Sequence, residues 1–188
     1  LLPQQLGWLK EQSGVFNIAI QSGAVIAVLF NFADRVKQLT LRWREPETRD
    51  YLAKLFVAFV ITGVGGLVID QLGFELPESV LPVAVALLVG GVLFVVVEKK
   101  IGNRAKLAEV TWAIAIAIGF GQLLAAVFPG TSRSGATILI ALLMGLRRLP
   151  AIEFTFLLGV PTLLAAGAYK VFKALRAESV SEDWGQLA

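Results

Sequence analysis

The residues best suited to chemistry lie in one short segment, residues 129–137, which reads Pro-Gly-Thr-Ser-Arg-Ser-Gly-Ala-Thr. Its Arg133 stands between two serines, and charge-free apolar runs flank the segment on both sides. A lone charge at membrane depth costs from about 2.5 to more than 10 kcal/mol, so it is seldom found there without a partner, a pathway or a ligand. The segment is therefore the first candidate for a functional site.

The backbone chemistry of this segment predicts a helix that is broken inside the membrane. Pro129 has no N–H to donate, and Gly130 and Gly135 allow backbone conformations that other residues avoid. Broken backbone at that depth must be buried in protein or line a wet cavity. A helix that starts near Ser134 would direct its free N–H groups and the positive end of its dipole into that cavity, which favours an anion.

The side chains of the segment point to phosphate. The guanidinium of Arg133 is a permanently charged fork that matches phosphate oxygens, and four neighbouring hydroxyls are compact donors. These belong to Thr131, Ser132, Ser134 and Thr137. We therefore interpret residues 129–137 as a phosphate-binding loop. In the alternative interpretation the small residues only allow close helix packing, and Arg133 extends to the outer interface.

Composition indicates an integral membrane protein. The 188 residues are 56% hydrophobic and 16% charged, with a mean hydropathy of +0.74, and successive apolar runs approach the roughly 20 residues needed to span a bilayer. The predicted fold is all-α, a polytopic helical bundle that forms a single membrane domain over residues 1–188. The predicted membrane segments are 15–32, 55–72, 79–97, 110–128, 134–146 and 154–170. Because 134–146 is short, it is interpreted as half of a re-entrant hairpin.

Two residue types are absent from the sequence. The chain has no cysteine and no histidine, so thiolate chemistry, disulfides and the commonest general base and metal ligand are excluded from these residues. The net charge is only +3, and no basic patch with interleaved aromatic residues indicates nucleic-acid binding.

The placement of basic residues predicts the orientation in the membrane. Lys and Arg gather between residues 35 and 54 and between residues 99 and 106, whereas residues 70–78 carry acids and no bases. Cytoplasmic loops are enriched in Lys and Arg. The first and third segments should therefore end inside, and the 129–137 loop should face the outer side.

Several polar groups lie in or beside the apolar runs. The amides of Gln21 and Gln122 need hydrogen-bond partners when buried. These partners would be polar groups on neighbouring helices or, if the two residues line the cavity, a bound phosphate group. Glu109 and Glu153 fall at predicted cytoplasmic ends, where solvated helix termini are expected. Residues 16–27 and 154–165 both begin with Phe and carry small residues midway, which we interpret as a trace of inverted repeats.

At these residues the chain resembles the undecaprenyl-diphosphatase family, also called the bacitracin-resistance family. Residues 129–137 match its second signature, P-G-x-S-R-S-G-A-T, and Gln122 falls where the family usually has glutamine. Residues 20–24 are similar to its I-Q-x-G-A segment, and residues 144–161 are similar to the stretch that follows the signature. The resemblance extends from about residue 15 to about residue 170.

The resemblance implies a multi-pass enzyme of the bacterial inner membrane, with inverted repeats and a site open to the outer face. The reaction would be hydrolysis of undecaprenyl diphosphate to undecaprenyl phosphate and inorganic phosphate, a phosphoric anhydride hydrolysis that recycles the lipid carrier of cell-wall synthesis. The implied cofactor is a divalent cation, Mg²⁺ or Ca²⁺, and bacitracin would compete for the polyprenyl diphosphate rather than bind the protein.

By position, the resemblance assigns catalytic roles to Arg133, Ser132 and Ser134. Substrate binding is assigned to Gly130, Thr131, Gly135, Thr137, Gln122 and Gln21, and no protein residue is assigned to a metal. Charge neutralisation and positioning are the main levers of phosphoryl transfer, so these roles fit the chemistry.

The chain departs from the family pattern at its start. The first signature, E-G-x-x-E-F-x-P-x-S-S-x-G-H, has no counterpart before Val15. We therefore expect a chain truncated at both ends, with activity only in the complete protein. A transporter or flippase that binds phosphate lipid with the same loop, and a noncatalytic membrane scaffold, remain alternatives.

Overall fold

The fold is helical throughout the part of the chain that the structure describes. The structure is a computed structural model, and it describes residues 23, 25–72, 80–101, 107–128 and 131–181. Within these ranges the only β-type pairing is an isolated bridge between Leu107 and Leu146. The predicted all-α class is therefore confirmed.

Six helices have defined bounds, and helical residues 25–31 precede the first of them. The helices are α1 Ala33–Leu41, α2 Pro46–Gln71, α3 Val80–Ile101, α4 Trp112–Val127, α5 Arg133–Leu143 and α6 Arg148–Ser181. α2 begins with Pro46, whose missing N–H costs nothing at a first helical position. α4 begins at a capping residue, because the Thr111 hydroxyl accepts a hydrogen bond from the Ile114 N–H at 3.3 Å.

Small residues let the helices approach closely. α4 packs against α2 and α5, α6 packs against α2 and α5, and α3 packs against α5. At Gly119 of α4, a Cβ would lie 3.1 Å from the Ala58 carbonyl oxygen of α2. The core between these helices is apolar and includes Ile114, Ile118, Phe154 and Leu158. Close contact between backbones through glycine is typical of helix packing in membranes.

The connection from α5 to α6 is a tight turn. Gly145 has φ +88°, a left-handed conformation that glycine adopts without steric cost. The Gly145 N–H donates to the Leu142 carbonyl at 2.9 Å, and the Leu146 N–H donates to the Ala141 carbonyl at 3.0 Å. The turn also exchanges two backbone hydrogen bonds with Leu107, so the segment before α4 is fixed beside the start of α6.

Polar contacts gather several helix ends at one end of the bundle, which we call the charged end. Glu98 near the end of α3 forms an ion pair with Arg148 at the start of α6. The Trp112 indole N–H at the start of α4 donates to Asp50 in the first turns of α2 at 3.1 Å. The first residues of α2, α4 and α6 and the last residues of α3 therefore lie at the charged end.

The apolar surface of the described helices fits a lipid environment. The helices Pro46–Gln71 and Arg148–Tyr169 are long and apolar enough to cross a membrane, and α4 and α5 are shorter apolar helices. α2 and α3 expose large apolar side chains, among them Phe56, Val64 and Leu88. A broad exposed apolar surface of this kind marks contact with a membrane or a partner. The limits of the membrane segments stay predictions.

Candidate anion-binding site

The site begins at the first turn of α5. Ser132 is the N-cap residue, and its hydroxyl oxygen accepts a hydrogen bond from the Gly135 N–H at 3.2 Å. A Cβ at position 135 would lie 3.1 Å from the Ser132 Cβ, so glycine leaves room for this cap. The helix begins at Arg133, one residue ahead of Ser134, where the sequence placed its start. Its free N–H groups and the positive end of its dipole therefore lie at Arg133.

A cavity of about 230 Å³ adjoins this turn and is lined by α4, α5, α6 and the helical residues 25–31. Its polar walls are Gln122 of α4, Arg133, Ser134 and Thr137 of α5, and Thr155 of α6. Its apolar walls include Val25, Val28 and Phe156. Arg133 is the only charged side chain among the described residues that line it. The cavity is therefore positively charged, with neutral hydrogen-bonding groups around the charge.

The cavity lies within the bundle, away from the charged end. With a rise of about 1.5 Å per residue, Gln122 lies roughly 15 Å along α4 from that end and Thr155 lies roughly 10 Å along α6. Arg133 lies roughly 15 Å back along α5 from the turn that joins α5 to α6. Three independent helix positions thus place the cavity at a similar depth.

Thr137 is fully buried and supports the first turn of α5. Its hydroxyl donates to the carbonyl oxygens of Arg133 and Ser134, each at 3.0 Å. The hydroxyl proton is thus engaged with the helix backbone, and only the oxygen of the hydroxyl remains to face the cavity. Thr137 therefore holds the backbone that carries Arg133.

Two buried polar atoms on the cavity wall have no hydrogen-bond partner among the described residues. These are Gln122 Oε1 and Thr155 Oγ1, whose residues are 2% and 3% exposed. Buried polar groups are nearly always hydrogen-bonded, so these two groups are candidates to bind a ligand in the cavity that their residues line. The sequence left two interpretations of Gln122 open, and the structure places it on the cavity wall.

A larger apolar groove of about 740 Å³ lies on the other side of the α5 start, between α3, α4 and α5. Its walls include Leu87, Phe94, Leu124 and Phe128, and its polar end is formed by Thr131, Ser132, Ser134 and Gly135. Ser134 lines both the groove and the cavity. The start of α5 therefore separates a charged cavity from an apolar groove.

The structure divides the residues predicted for the site into three groups. Arg133, Ser134, Thr137 and Gln122 share the cavity, whereas Thr131, Ser132 and Gly135 share the groove. Gly130 and Gln21 lie outside the described residues. The sequence missed Thr155, although Thr155, Gly159 and Thr162 recur at helical spacing in α6 and mark a face that is not purely apolar.

One prediction about the carboxylates is wrong. Glu153 was expected to be a solvated helix terminus, but its side chain is only 27% exposed and lies 2.7 Å from the Arg35 Nε. The Tyr51 hydroxyl also donates to the Glu153 carboxylate at 3.2 Å. Glu153 thus joins α1, α2 and α6. Glu109, which lies between α3 and α4, is exposed as expected.

The described residues do not fit a protein-held divalent cation. Among them, no group of three or more acidic, histidine or cysteine side chains could hold a metal ion. The cavity walls offer amide and hydroxyl groups but no carboxylate, whereas Mg²⁺ and Ca²⁺ sites are usually built with carboxylates.

These features define a helical membrane protein with a cavity inside its bundle, where Arg133 is the only charged side chain among the described lining residues. The family model described as "Bacitracin resistance protein BacA" matches residues 1–187, and the chain therefore belongs to this family. The match is wider than residues 15–170, so the limits placed on the resemblance were too narrow.

Curated relatives are similar to this chain over nearly its whole length. The undecaprenyl-diphosphatase of Rhizobium etli (strain CIAT 652) is 49% identical over 183 residues, which is 96% of this chain and 69% of the relative. The undecaprenyl-diphosphatase of Rhizobium johnstonii is 49% identical over 182 residues, with the same coverage. That of Xylella fastidiosa (strain 9a5c) is 43% identical over 183 residues, 96% of this chain and 70% of the relative.

Proposed function

We propose that the protein is an undecaprenyl-diphosphatase, a hydrolase that converts undecaprenyl diphosphate to undecaprenyl phosphate and inorganic phosphate. The main support for this function is the start of α5, where Ser134 lines both the charged cavity and the apolar groove. A diphosphate lipid needs a positively charged site for its head group directly beside an apolar site for its chain. The family and its relatives support the same substrate.

The cavity suits the diphosphate head group. Arg133 supplies a fixed positive charge and a planar fork of donors, and the first turn of α5 adds free backbone N–H groups. Ser134 adds a hydroxyl at the cavity wall. Neutralising phosphate charge and holding its oxygens in place are the main protein contributions to phosphoryl transfer.

Ser132 and Ser134 are proposed to hold phosphate oxygens on either side of Arg133. Their hydroxyl oxygens lie 3.4 Å apart, and the Ser132 hydroxyl oxygen already accepts the Gly135 N–H. The Ser132 proton is therefore oriented away from that N–H and is available to Ser134 or to a phosphate. Thr131 and Gly135 line the groove beside them, where the head group would meet the chain of the lipid.

The groove suits the polyprenyl chain. Leu87, Phe94, Leu124 and Phe128 give it apolar walls, so a polyprenyl chain that enters it from the bilayer stays in apolar surroundings. Because the polar end of the groove is the Ser132–Ser134 turn, a lipid lying in it would present its head group to Arg133.

The hydrolysis forms a bond from a nucleophilic oxygen to the terminal phosphorus and breaks that phosphorus's bond to the bridging oxygen. The nucleophile needs a base to take its proton. The described residues that line the cavity include no carboxylate and no histidine. These residues therefore serve the binding and charge-neutralising side of the reaction.

The helix lengths support a re-entrant hairpin. At about 1.5 Å per residue, α4 is roughly 24 Å long and α5 roughly 16 Å, against a hydrocarbon thickness of about 30 Å. We infer that α4 and α5 enter from the charged end and turn back within the membrane. With the charged end in the cytoplasm, the site of this multi-pass inner-membrane protein faces outward. We also propose that residues 16–27 and 154–165 are corresponding parts of two inverted repeats.

Two further expectations are proposals about the complete gene product. The first is a requirement for a divalent cation, which predicts that a chelator lowers phosphate release and that added Mg²⁺ or Ca²⁺ restores it. The second is that bacitracin inhibits by sequestering the substrate. Raising the concentration of the lipid should then relieve inhibition, whereas raising the concentration of the protein should not.

A carrier of phosphate lipids is the second candidate, favoured by the absence of a base from the described lining of the cavity. The deciding experiment incubates the purified complete gene product with undecaprenyl diphosphate in detergent. We expect inorganic phosphate and the monophosphate lipid in equal amounts. Tight binding without phosphate release would favour the carrier instead.

A further inference from the structure

Thr155 behaves differently from the other helix threonines whose hydrogen bonds are described. The hydroxyls of Thr40, Thr62, Thr137 and Thr162 each donate to the carbonyl oxygen four residues earlier, at 2.9–3.0 Å. This bond is the usual way for a threonine to satisfy its hydroxyl in an apolar helix. Thr155 Oγ1 is buried on the same helix as Thr162, yet it has no partner.

Thr155 lies where its hydroxyl could bind a ligand in the cavity. Thr155 lines the cavity from α6, while Arg133 and Ser134 line it from α5 and Gln122 lines it from α4. The volume of the cavity is about 230 Å³. A diphosphate group in so small a space would contact several walls at once.

Gln122 supplies the second unsatisfied group of this wall. Its Oε1 is buried without a partner, and an amide can turn either its oxygen or its NH₂ toward a ligand. Two unsatisfied buried groups on residues that line one cavity cost free energy, and a hydrogen bond to a ligand would offset this cost. The cavity therefore combines one cation and two buried hydrogen-bonding groups with walls that are otherwise mostly apolar.

We propose that Thr155 is a further substrate-binding residue, whose hydroxyl donates a hydrogen bond to a phosphoryl oxygen of the diphosphate from the α6 wall, beside the Gln122 amide. The inference rests on the proposed function and extends the site to a third helix. The diphosphate would then be held between Arg133 and Ser134 on one side and Thr155 on the other. α6 thereby becomes part of the recognition of the head group.

The test compares Thr155→Val with Thr155→Ser in the complete gene product. Valine keeps the shape and removes the hydroxyl, whereas serine keeps the hydroxyl. With farnesyl diphosphate as the substrate, we expect Thr155→Val to lower kcat/KM by roughly 10- to 100-fold, the effect of losing one hydrogen bond to a charged group. Thr155→Ser should retain most of the activity.

Thr162→Val is the matched control. It removes a similarly buried hydroxyl from the same helix, but one that is bonded to the Leu158 carbonyl and does not line the cavity. We expect this variant to lose thermal stability and to keep its kcat/KM. If Thr155→Val matched Thr162→Val in kcat/KM, the hydroxyl would serve packing or an internal water, and the proposal would be overturned.

A binding measurement separates this inference from the proposed function. Calorimetric titration with inorganic diphosphate should show weaker binding by Thr155→Val than by the wild type, with Thr155→Ser near the wild type. Absence of phosphate release by the wild type would refute the proposed function but leave this comparison intact. Equal diphosphate binding by all three proteins would refute the role of Thr155. If the valine variant does not fold, Thr155→Ala takes its place.

Discussion

Replacing Arg133 by alanine removes the only charged side chain among the described residues of the cavity. The change leaves the Ser132 cap in place, because the hydrogen bond from the Gly135 N–H to the Ser132 hydroxyl does not involve the arginine side chain. The Thr137 hydroxyl also bonds to backbone carbonyls and not to the guanidinium. The first turn of α5 should therefore survive the substitution, and the effect should fall on the ligand.

The magnitude follows from the number of charge-assisted hydrogen bonds that are lost. A hydrogen bond to a charged group contributes about 1.5–3 kcal/mol, and a guanidinium forms two of them to a phosphate. Removing both costs about 3–6 kcal/mol, which corresponds to roughly 10²- to 10⁴-fold in kcat/KM at 1.36 kcal/mol per tenfold. Arg133→Lys keeps the charge without the fork, so we expect a smaller loss.

The assay is release of inorganic phosphate from farnesyl diphosphate by the complete gene product in detergent. Arg147→Ala is the control, because Arg147 is an exposed arginine beside the α5–α6 turn and does not line the cavity. Its kcat/KM should stay near that of the wild type. If Arg133→Ala were as active as Arg147→Ala, the assignment of the cavity to the diphosphate would be refuted.

Two further predictions concern stability, measured as the melting temperature in detergent. Gly119→Ala should lower it, because the new Cβ would press on a backbone carbonyl of α2 and on Ile61, and overpacking costs about 1–3 kcal/mol. Gly63→Ala, with nothing near its Cβ, should raise it slightly through helix propensity; equal effects would contradict the packing argument. Glu153→Ala should cost about 1–2 kcal/mol, reduced by partial exposure, because it leaves Arg35 without its carboxylate. Glu45→Ala breaks only an exposed 3.8 Å pair and should be nearly neutral.

The sequence grouped Arg133, Ser134 and Thr137 from local chemistry, and these residues line one cavity. Arg133 between serines and glycines, set in an apolar stretch, indicated an anion site without any tertiary information. The sequence placed the helix start near Ser134, whereas the Ser132 cap starts the helix at Arg133. The structure adds that Gln122 joins the same cavity from α4.

Other features depended on tertiary packing that periodicity does not encode. Glu153 pairs with Arg35 and Tyr51, which are distant in sequence and come from two other helices. The helix that contains the predicted membrane segment 55–72 begins at Pro46 and includes an ion pair between Asp50 and Lys54 before that segment.

Thr155 shows the limit of sequence reasoning most clearly. A threonine in an apolar helix normally bonds to its own backbone, as Thr162 does. Which of the two hydroxyls faces a cavity is decided by how α4, α5 and α6 pack around it. Only the three-dimensional arrangement distinguishes them.

The most direct test of the account is an experimental structure of the complete gene product with a non-hydrolysable prenyl diphosphonate. We predict that the phosphonate oxygens lie within hydrogen-bonding distance, about 2.7–2.9 Å, of the Arg133 guanidinium, with the prenyl chain in the groove lined by Leu87 and Phe94. A head group bound elsewhere, with the Arg133 cavity filled only by water, would contradict the account.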